Sequence, residues 1–347
     1  MFVASFALAT ALSATDVPAF LVRVDAARHE IVFRLGPFQL PASASGGEHA
    51  GMHHHGLEMP VFRFILPAGG WIRGFRVSLF DAEGRALPRR ILHHVNLLHL
   101  GRRQLTQPIL ERTLAAGQET DDVILPKSVG VRLDAGAEMA LLTAWANETG
   151  ADLDSVILEL RLPYLADNTM PRPQEVRPVA FDVGFRPGLS DGFDLDTGRT
   201  VHRREFVVPI DGRLLAVGGH LHDYAESLQL REVATGRVIV ALEPTVDARG
   251  RISQVSRKIF GISGAGRKLK AGRYVVEAVY NNRTGARIEN GGMAVLGGIF
   301  APDDPKRWPA VDRNDAVFAA DAAGLDRIGW VMVAGKGAEK LGSARQP

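Results

Sequence analysis

The stretch Leu214–Leu228, LLAVGGHLHDYAESL, runs from an apolar segment through Gly218-Gly219 into the pair His220-Leu-His222. Side chains alternate along a β-strand, so residues two apart share a face. Read as a strand, this stretch projects His220 and His222 together at a chelating spacing, and the two glycines let the backbone turn close to what they hold. Further along, Asn290-Gly-Gly-Met293 offers a thioether at the start of another apolar run, AVLGGIF. Two imidazoles and a thioether form a soft nitrogen–sulfur donor set, which favours copper, Cu(I) above all, over magnesium or calcium.

The same period-two texture extends outward on both sides. EIVFRL, VFRFIL, FRVSLF, ILHHVNLLHL, DVILP, GVRL, EMALLTAW and SVILELRL are short runs rich in Val, Ile, Leu and Phe. Turn chemistry separates several of them, at Pro67-Ala-Gly-Gly70, Asp81-Ala-Glu-Gly84 and Asp134-Ala-Gly136. Short strands at this spacing, with scarcely any helical periodicity, predict a β-sandwich or barrel. A second block repeats the texture with VAFDVGF, EFVVPI, SLQLREV, RVIVAL, RYVVEAVY and MAVLGGIF. Between the blocks, PYLADNTMPRPQEVRP holds four prolines in sixteen residues and no periodicity, which reads as a linker or a strap.

The expected architecture is therefore all-β, with two antiparallel, jelly-roll-like sandwiches in tandem and a cleft between them. Residues 16–162 form the first sandwich, 163–177 the linker and 178–302 the second sandwich with the His-x-His/Met site. No sequence repeat relates the two blocks, although they look alike in plan. Residues 303–347 form a C-terminal extension: DAVFAADAAGL reads as a short helix, RIGWVMVAG as one more strand, and the end as disordered. Residues 1–15 begin with an apolar run too short to span a bilayer. That run reads as a secretory signal, with small-residue cleavage sites at Ala9-Thr-Ala11 or Leu12-Ser-Ala14, or as a buried first strand. The signal reading makes the chain exported, to a periplasm or the extracellular space, and no other segment looks transmembrane.

Composition narrows the chemistry. The 347 residues include no cysteine, which removes disulfides, zinc–thiolate sites, thiol catalysis and iron–sulfur clusters together. A formal charge of +2 with no basic stripe gives nucleic-acid binding no support. Gly261-Ile-Ser-Gly-Ala-Gly266 lacks the Lys-Ser/Thr of a P-loop and the βαβ setting of a dinucleotide turn, and it reads as a hairpin loop. Of the eleven histidines, His49 and His53–His55 fall in a Gly/Met-rich loop, and His29 and His202 read as surface residues. His93-His94 open the strand HHVNLLHL, where neighbours face opposite ways unless a bulge re-aims them. Two histidines in an apolar strand are costly to bury unsatisfied, so ligation competes there with a core role. Asp223 and Glu226 stand near His222 as partners for its ring or as parts of a solvated turn.

An adjacent His pair in the first block, His-x-His in the second and a distant Met form a constellation that resembles the type II copper, ascorbate-dependent monooxygenases, the peptidylglycine and dopamine β-monooxygenase family. The resemblance covers residues 60–300. It implies two sandwiches that each present one copper to a shared cleft. In that plan His93 and His94 belong to an electron-delivering first site, and His220, His222 and Met293 to the catalytic, oxygen-binding second site. The third histidine of the first site is missing near Trp145–Asn147, with His99 or the His53–His55 loop as substitutes. One copper is expected, and two if the first site is completed. Gly218, Val295 and Gly297 stand where the peptide-oxidising members carry a basic residue, Asn and Tyr. A peptide-carboxylate clamp is thus absent, and the family's disulfides are absent too. The reading is a copper-binding, monooxygenase-like oxidoreductase that hydroxylates a C–H bond of a small or non-peptide substrate with dioxygen and a reductant. Its rivals are a non-catalytic copper binder on the same fold, a structural or interaction double sandwich, and a cupin, since His220-x-His222-x-x-x-Glu226 matches part of a cupin motif.

Overall fold

The computed structural model describes residues 18–42, 57–58, 61–147, 149–187, 192–261 and 266–333. The apolar N-terminal run, the loop carrying His49 and His53–His55, residues 262–265 of the glycine-rich loop and the end of the chain lie outside the described residues.

Alternation in the sequence becomes burial in the strands. Along Leu153–Leu165, Val156, Leu158, Leu160 and Leu162 are buried every second residue, while the residues between them face outward. Seven such strands frame the first sandwich, with Ala19–Asp25 and several shorter strands adding to its sheets: β1 (Glu30–Leu40), β2 (Val61–Ile65), β3 (Gly74–Phe80), β4 (Leu92–Arg103), β5 (Leu110–Gly117), β6 (Glu138–Trp145) and β7 (Leu153–Leu165). They pair antiparallel as β1-β7-β3 in one sheet and β2-β6-β4-β5 in the other. Phe33, Leu158 and Leu160 from one sheet meet Phe62, Leu97 and Leu141 from the other in a single apolar core.

Seven more strands frame the second sandwich, again with shorter strands added: β8 (Arg177–Asp182), β9 (Gly198–Val208), β10 (Gly212–Leu221), β11 (Ala225–Glu232), β12 (Val238–Leu242), β13 (Gly272–Asn282) and β14 (Ala294–Pro302). Their sheets are β8-β14-β10 and β9-β13-β11-β12, again antiparallel. Phe181, Leu214 and Leu296 pack there against Phe206, Leu228 and Val276. Each strand of the first set thus has its counterpart seven places later, in the same chain order and the same sheet position.

A short repeat marks that correspondence. Asn147 and Asn282 each open an Asn-x-Thr-Gly-Ala segment that ends β6 or β13. The Asn147 amide donates to the Leu40 and Ala151 carbonyls, both at 2.8 Å, and its Oδ1 accepts from the Thr149 N–H and hydroxyl. Asn282 does the same with the Leu195 and Ala286 carbonyls and with Thr284. Leu40 pairs with Leu153, and Leu195 with Ile288, each six residues after its asparagine. The two halves therefore share a repeat that five residues of sequence are too short to reveal unaided.

The proline-rich stretch is a strap rather than a free linker. Strand β7 continues to Leu165, Gln174–Glu175 pairs parallel with Val129–Gly130, and β8 begins at Arg177. The C-terminal extension returns to the first sandwich. Helix α1 (Ala316–Ile328) starts where the Asp315 carboxylate accepts from the Val317 and Phe318 N–H groups. Its Asp321 is buried and takes two bonds from Arg112 on β5, and strand β15 (Trp330–Met332) then pairs parallel with β2. Among the described residues no helix is long and apolar enough to cross a membrane.

Candidate metal centre

The end of β10 and the start of β4 meet where the two sandwiches touch. His220 pairs with Val295 on β14, Leu221 with Ala294, and the His222 N–H continues the ladder to the Met293 carbonyl at 3.2 Å. Regular alternation therefore holds both rings on one side, with centroids 5.2 Å apart. Gly218 and Gly219 do not turn the chain, contrary to expectation; they lie within β10 opposite Gly297 and Leu296. A Cβ on Gly219 would lie 3.0 Å from Leu228 and 3.1 Å from Val255, so the glycine admits a tight core there. The buried Tyr280 hydroxyl donates to the Met293 carbonyl and accepts from the His222 N–H at 3.3 Å, tying the two ligand-bearing segments together. Burial pushes its phenol pKa up, so this clamp stays neutral.

The first sandwich contributes through a bulge. Ala144 pairs with His94 and Trp145 with Leu92, leaving His93 as the extra residue of β4. A bulge of this kind bends the strand and re-aims its side chains. The His93 and His94 rings consequently lie near one another, with centroids 4.9 Å apart. His93 reaches across the interface until its Nε2 is 3.4 Å from Nε2 of His222. One ring nitrogen from each of His93, His220 and His222 lies within 4.8 Å of the others. Two nitrogens bound about 2.1 Å from one tetrahedral ion stand about 3.4 Å apart, so the donor set fits a metal.

A carboxylate completes the arrangement. Glu119 stands in the turn after β5, where the Thr120 hydroxyl accepts from the Gly117 N–H at 3.0 Å. A Cβ on Gly117 would come within 2.8 Å of Glu119 Oε2 and 3.0 Å of the His93 carbonyl, so the glycine leaves room for the carboxylate. The Glu119 carboxylate is buried and accepts from His220 Nδ1 at 2.7 Å. That bond fixes the proton on Nδ1 and turns Nε2 toward the cluster, the usual role of a carboxylate behind a metal-binding imidazole. Burial alone would raise the Glu119 pKa, but the charge and hydrogen bond of His220 outweigh it and hold the carboxyl below its ordinary range. His94 is a different kind of residue. Burial, aided by the neighbouring His220 and opposed by Glu119, lowers its pKa to about 4, so it is neutral at pH 7.

The five residues singled out from the sequence thus converge on one place. His93, His220 and His222 form the cluster, while His94 and Met293 line a cavity that also touches His220 and Glu119. The arrangement implied by the resemblance put His93 with His94 in a separate first site; here His93 stands with the His-x-His pair because the sandwiches are in direct contact. His99 lies away from the cluster, its Nδ1 accepting from the Gly101 N–H, and Trp145 and Asn147 serve the core and the Asn-x-Thr bracket. Asp223 accepts from the Ile252 N–H, and Glu226 bonds Arg199 and Asn281, so both serve the turn and strand edge. His29 is exposed, whereas His202 stacks on Phe193 with centroids 4.0 Å apart and is half-buried rather than a plain surface residue. Sequence reasoning missed Glu119 because QETDD carries no periodicity and reads as a polar turn.

No family model matches the chain, and no curated protein matches it. Among solved structures, similarity is found to a Sulfolobus turreted icosahedral virus structure, at 10% identity and TM-score 0.38, covering 86% of this chain and 98% of that one. The major capsid protein P2 of bacteriophage PM2 matches at 9% and 0.34, covering 77% and 97%. PNGase F, a glycosylasparaginase from Flavobacterium meningosepticum, matches at 12% and 0.34, covering 78% and 96%. At these TM-scores the similarities carry no functional assignment.

Proposed function

We propose that this chain is a copper-binding protein of the monooxygenase-like type, with one three-histidine centre shared between its two sandwiches. The observation that carries the reading is the convergence of His93, His220 and His222, whose ring nitrogens come from both sandwiches yet lie within 4.8 Å of one another. Three imidazoles suit copper and zinc alike; Met293 in the adjoining cavity wall supports copper. Bound there, copper supplies one-electron chemistry toward dioxygen, and a small, non-peptide substrate with a C–H bond to hydroxylate completes the reading. Within the protein, Glu119 keeps the proton on His220 Nδ1, Tyr280 fixes the spacing of His222 and Met293, and the sandwich contact shields the cluster from water. A reductant is the second partner, and the short apolar N-terminal run supports an exported setting.

The test is metal retention after anaerobic Cu(I) loading and desalting. Wild type should keep one copper per chain and His222→Ala should keep none. Glu119→Gln should weaken binding about 10–100-fold. Met293→Ala should weaken Cu(I) while leaving zinc binding unchanged. Retention of zinc in preference to Cu(I) would overturn the copper assignment. Absence of oxygen consumption by the copper-loaded chain with ascorbate and small substrates would leave a copper holder.

A further inference from the structure

Where the outer faces of the two sandwiches meet beside the cluster, short side chains leave a half-open cleft of about 140 Å³. On the first sandwich His94 pairs with Gly117 and Asn96 with Ala115; facing them on the second are Ala180, Asp182 and Val295. Phe185 and Met293 add apolar surface to the lining. Its charged groups are already engaged within the protein. Arg112 is held by both oxygens of Asp321, Asp182 accepts from the Gly184 and Phe185 N–H groups, and Glu119 holds His220.

Asn96 is the informative residue. Its neighbours Val95 and Leu97 are fully buried in the core of the first sandwich. Strand alternation therefore turns Asn96 to the opposite face, where it lines the cleft two residues along from His94. Its cross-strand neighbours, Ala115 on β5 and Leu142 on β6, offer no polar group. The side chain is half-buried, and its amide has no hydrogen-bond partner among the described residues. Neither of its polar atoms is sealed from the cleft, so a molecule bound there can reach both. An amide so placed in an otherwise apolar strand is the kind of convergent polar group that orients a ligand in a pocket.

We infer that this cleft binds a small uncharged molecule with a carboxamide or hydroxyl head group, the head on the Asn96 amide and an apolar body against Phe185, Val295 and Met293. Such a head group donates and accepts at once, which matches the NH₂ and carbonyl of the asparagine side chain. Ala115 leaves the room beside Asn96 that the head group takes. A carboxylate would lie among the carboxylates of Glu119 and Asp182, with Arg112 already neutralised by Asp321. An ammonium would compete with His220 and with backbone N–H groups for carboxylates that are already bonded, and either ion would lose its hydration. The cleft adjoins His220 and Met293, so the bound molecule lies beside the metal centre. Its standing as substrate rests on the copper reading; its binding does not.

The experiment measures dissociation constants by ligand-observed NMR on the full chain freed of metal with a chelator. The probes are benzamide, benzyl alcohol, toluene, benzoate and benzylamine. Benzamide and benzyl alcohol should each bind at least about fivefold more tightly than the other probes, the worth of a hydrogen bond or two. Asn96→Leu, close to the asparagine in size, should bring both to within about twofold of toluene. Ala115→Trp, which fills the space beside Asn96, should abolish binding of both. Thermal unfolding checks that each variant is folded; if one fails to fold, the wild-type ranking and the other variant still decide. Toluene or a charged probe binding as tightly as benzamide or benzyl alcohol, an unchanged ranking in folded Asn96→Leu, or binding that survives folded Ala115→Trp would each overturn the assignment. Copper retention is measured separately, so failure of the cleft and failure of the metal centre are distinguishable.

Discussion

The two sandwiches share a plan and differ in what they give to the site. Strands β1–β7 and β8–β14 follow one order, and each half closes with the same bracket, Asn147 with Thr149 or Asn282 with Thr284. Yet the second half supplies His220 and His222 by regular alternation at the end of β10, whereas the first supplies His93 from a bulge at the start of β4. These strands are not counterparts, since the counterpart of β4 is β11 and that of β10 is β3. A repeated unit can thus be used asymmetrically: what recurs is the local chemistry that closes a sandwich, and what differs is where polar side chains interrupt it.

The sharpest way to break this comparison is at the bulge. His93→Ala and His94→Ala change adjacent residues on one strand, but only His93 has a nitrogen in the cluster. Copper affinity should fall about a thousandfold in the first variant, in keeping with loss of one of three ligands, and stay within about threefold in the second. Competition against a chromophoric Cu(I) chelator measures both. Equal losses would mean that His94, not the bulge geometry, governs ligation.

The bracket offers a matched pair. Each asparagine is buried, at 4% and 2% exposure, and each joins two stretches of its own sandwich through the same bonds. Replacing either by Ala removes four hydrogen bonds, two donated to carbonyls and two accepted from the threonine N–H and hydroxyl, at about 1 kcal/mol per lost bond, while the hydroxyl keeps its bond to the Ala151 or Ala286 carbonyl. Asn147→Ala and Asn282→Ala should each lower stability by about 3 kcal/mol in denaturant unfolding. If one costs much more than the other, the structural repeat is not an energetic one.

Most of the fold was legible because it rests on alternation: Val156, Leu158, Leu160 and Leu162 announce a half-buried strand without reference to any partner. His220 and His222 were legible for the same reason. The bulge was not, since it exists only in the register of β4 against Ala144 and Trp145, and a one-residue slip leaves no mark in the sequence. Nor was the contact that brings His93 to His222, which belongs to the packing of two separate cores. The Asn-x-Thr-Gly-Ala repeat stood in plain view, but its meaning lies in the Leu40 and Leu195 carbonyls, remote in sequence from each asparagine. The likeness to copper monooxygenases drew on residue order, and order does not say whether two histidine pairs make two centres or one.

Acid should separate the two halves in a further way. His99 on β4 is buried in the first sandwich, and its pKa is lowered to about 4 by burial first, then by Arg102 and Arg177, with Asp134 opposing. The counterpart strand β11 carries no histidine. A histidine whose folded pKa lies below its unfolded value takes its proton first in the unfolded chain. Its contribution is therefore fully present above pH 6.5 and is lost as pH falls toward 4. Between pH 7 and pH 5 this one group should remove about 2 kcal/mol from the first sandwich. Trp71 and Trp145 lie in that sandwich and Trp330 packs beside it, whereas Trp308 packs against Phe300 of the second, so in a Trp308→Phe background tryptophan fluorescence follows the first half while circular dichroism follows both. On mild acidification the fluorescence transition should move to lower denaturant than the circular-dichroism transition, and His99→Met should bring the two back toward each other. Coincident transitions at pH 5 in the unsubstituted chain would show that the sandwiches unfold as one unit, held together by the strap, by α1 and by the interface itself.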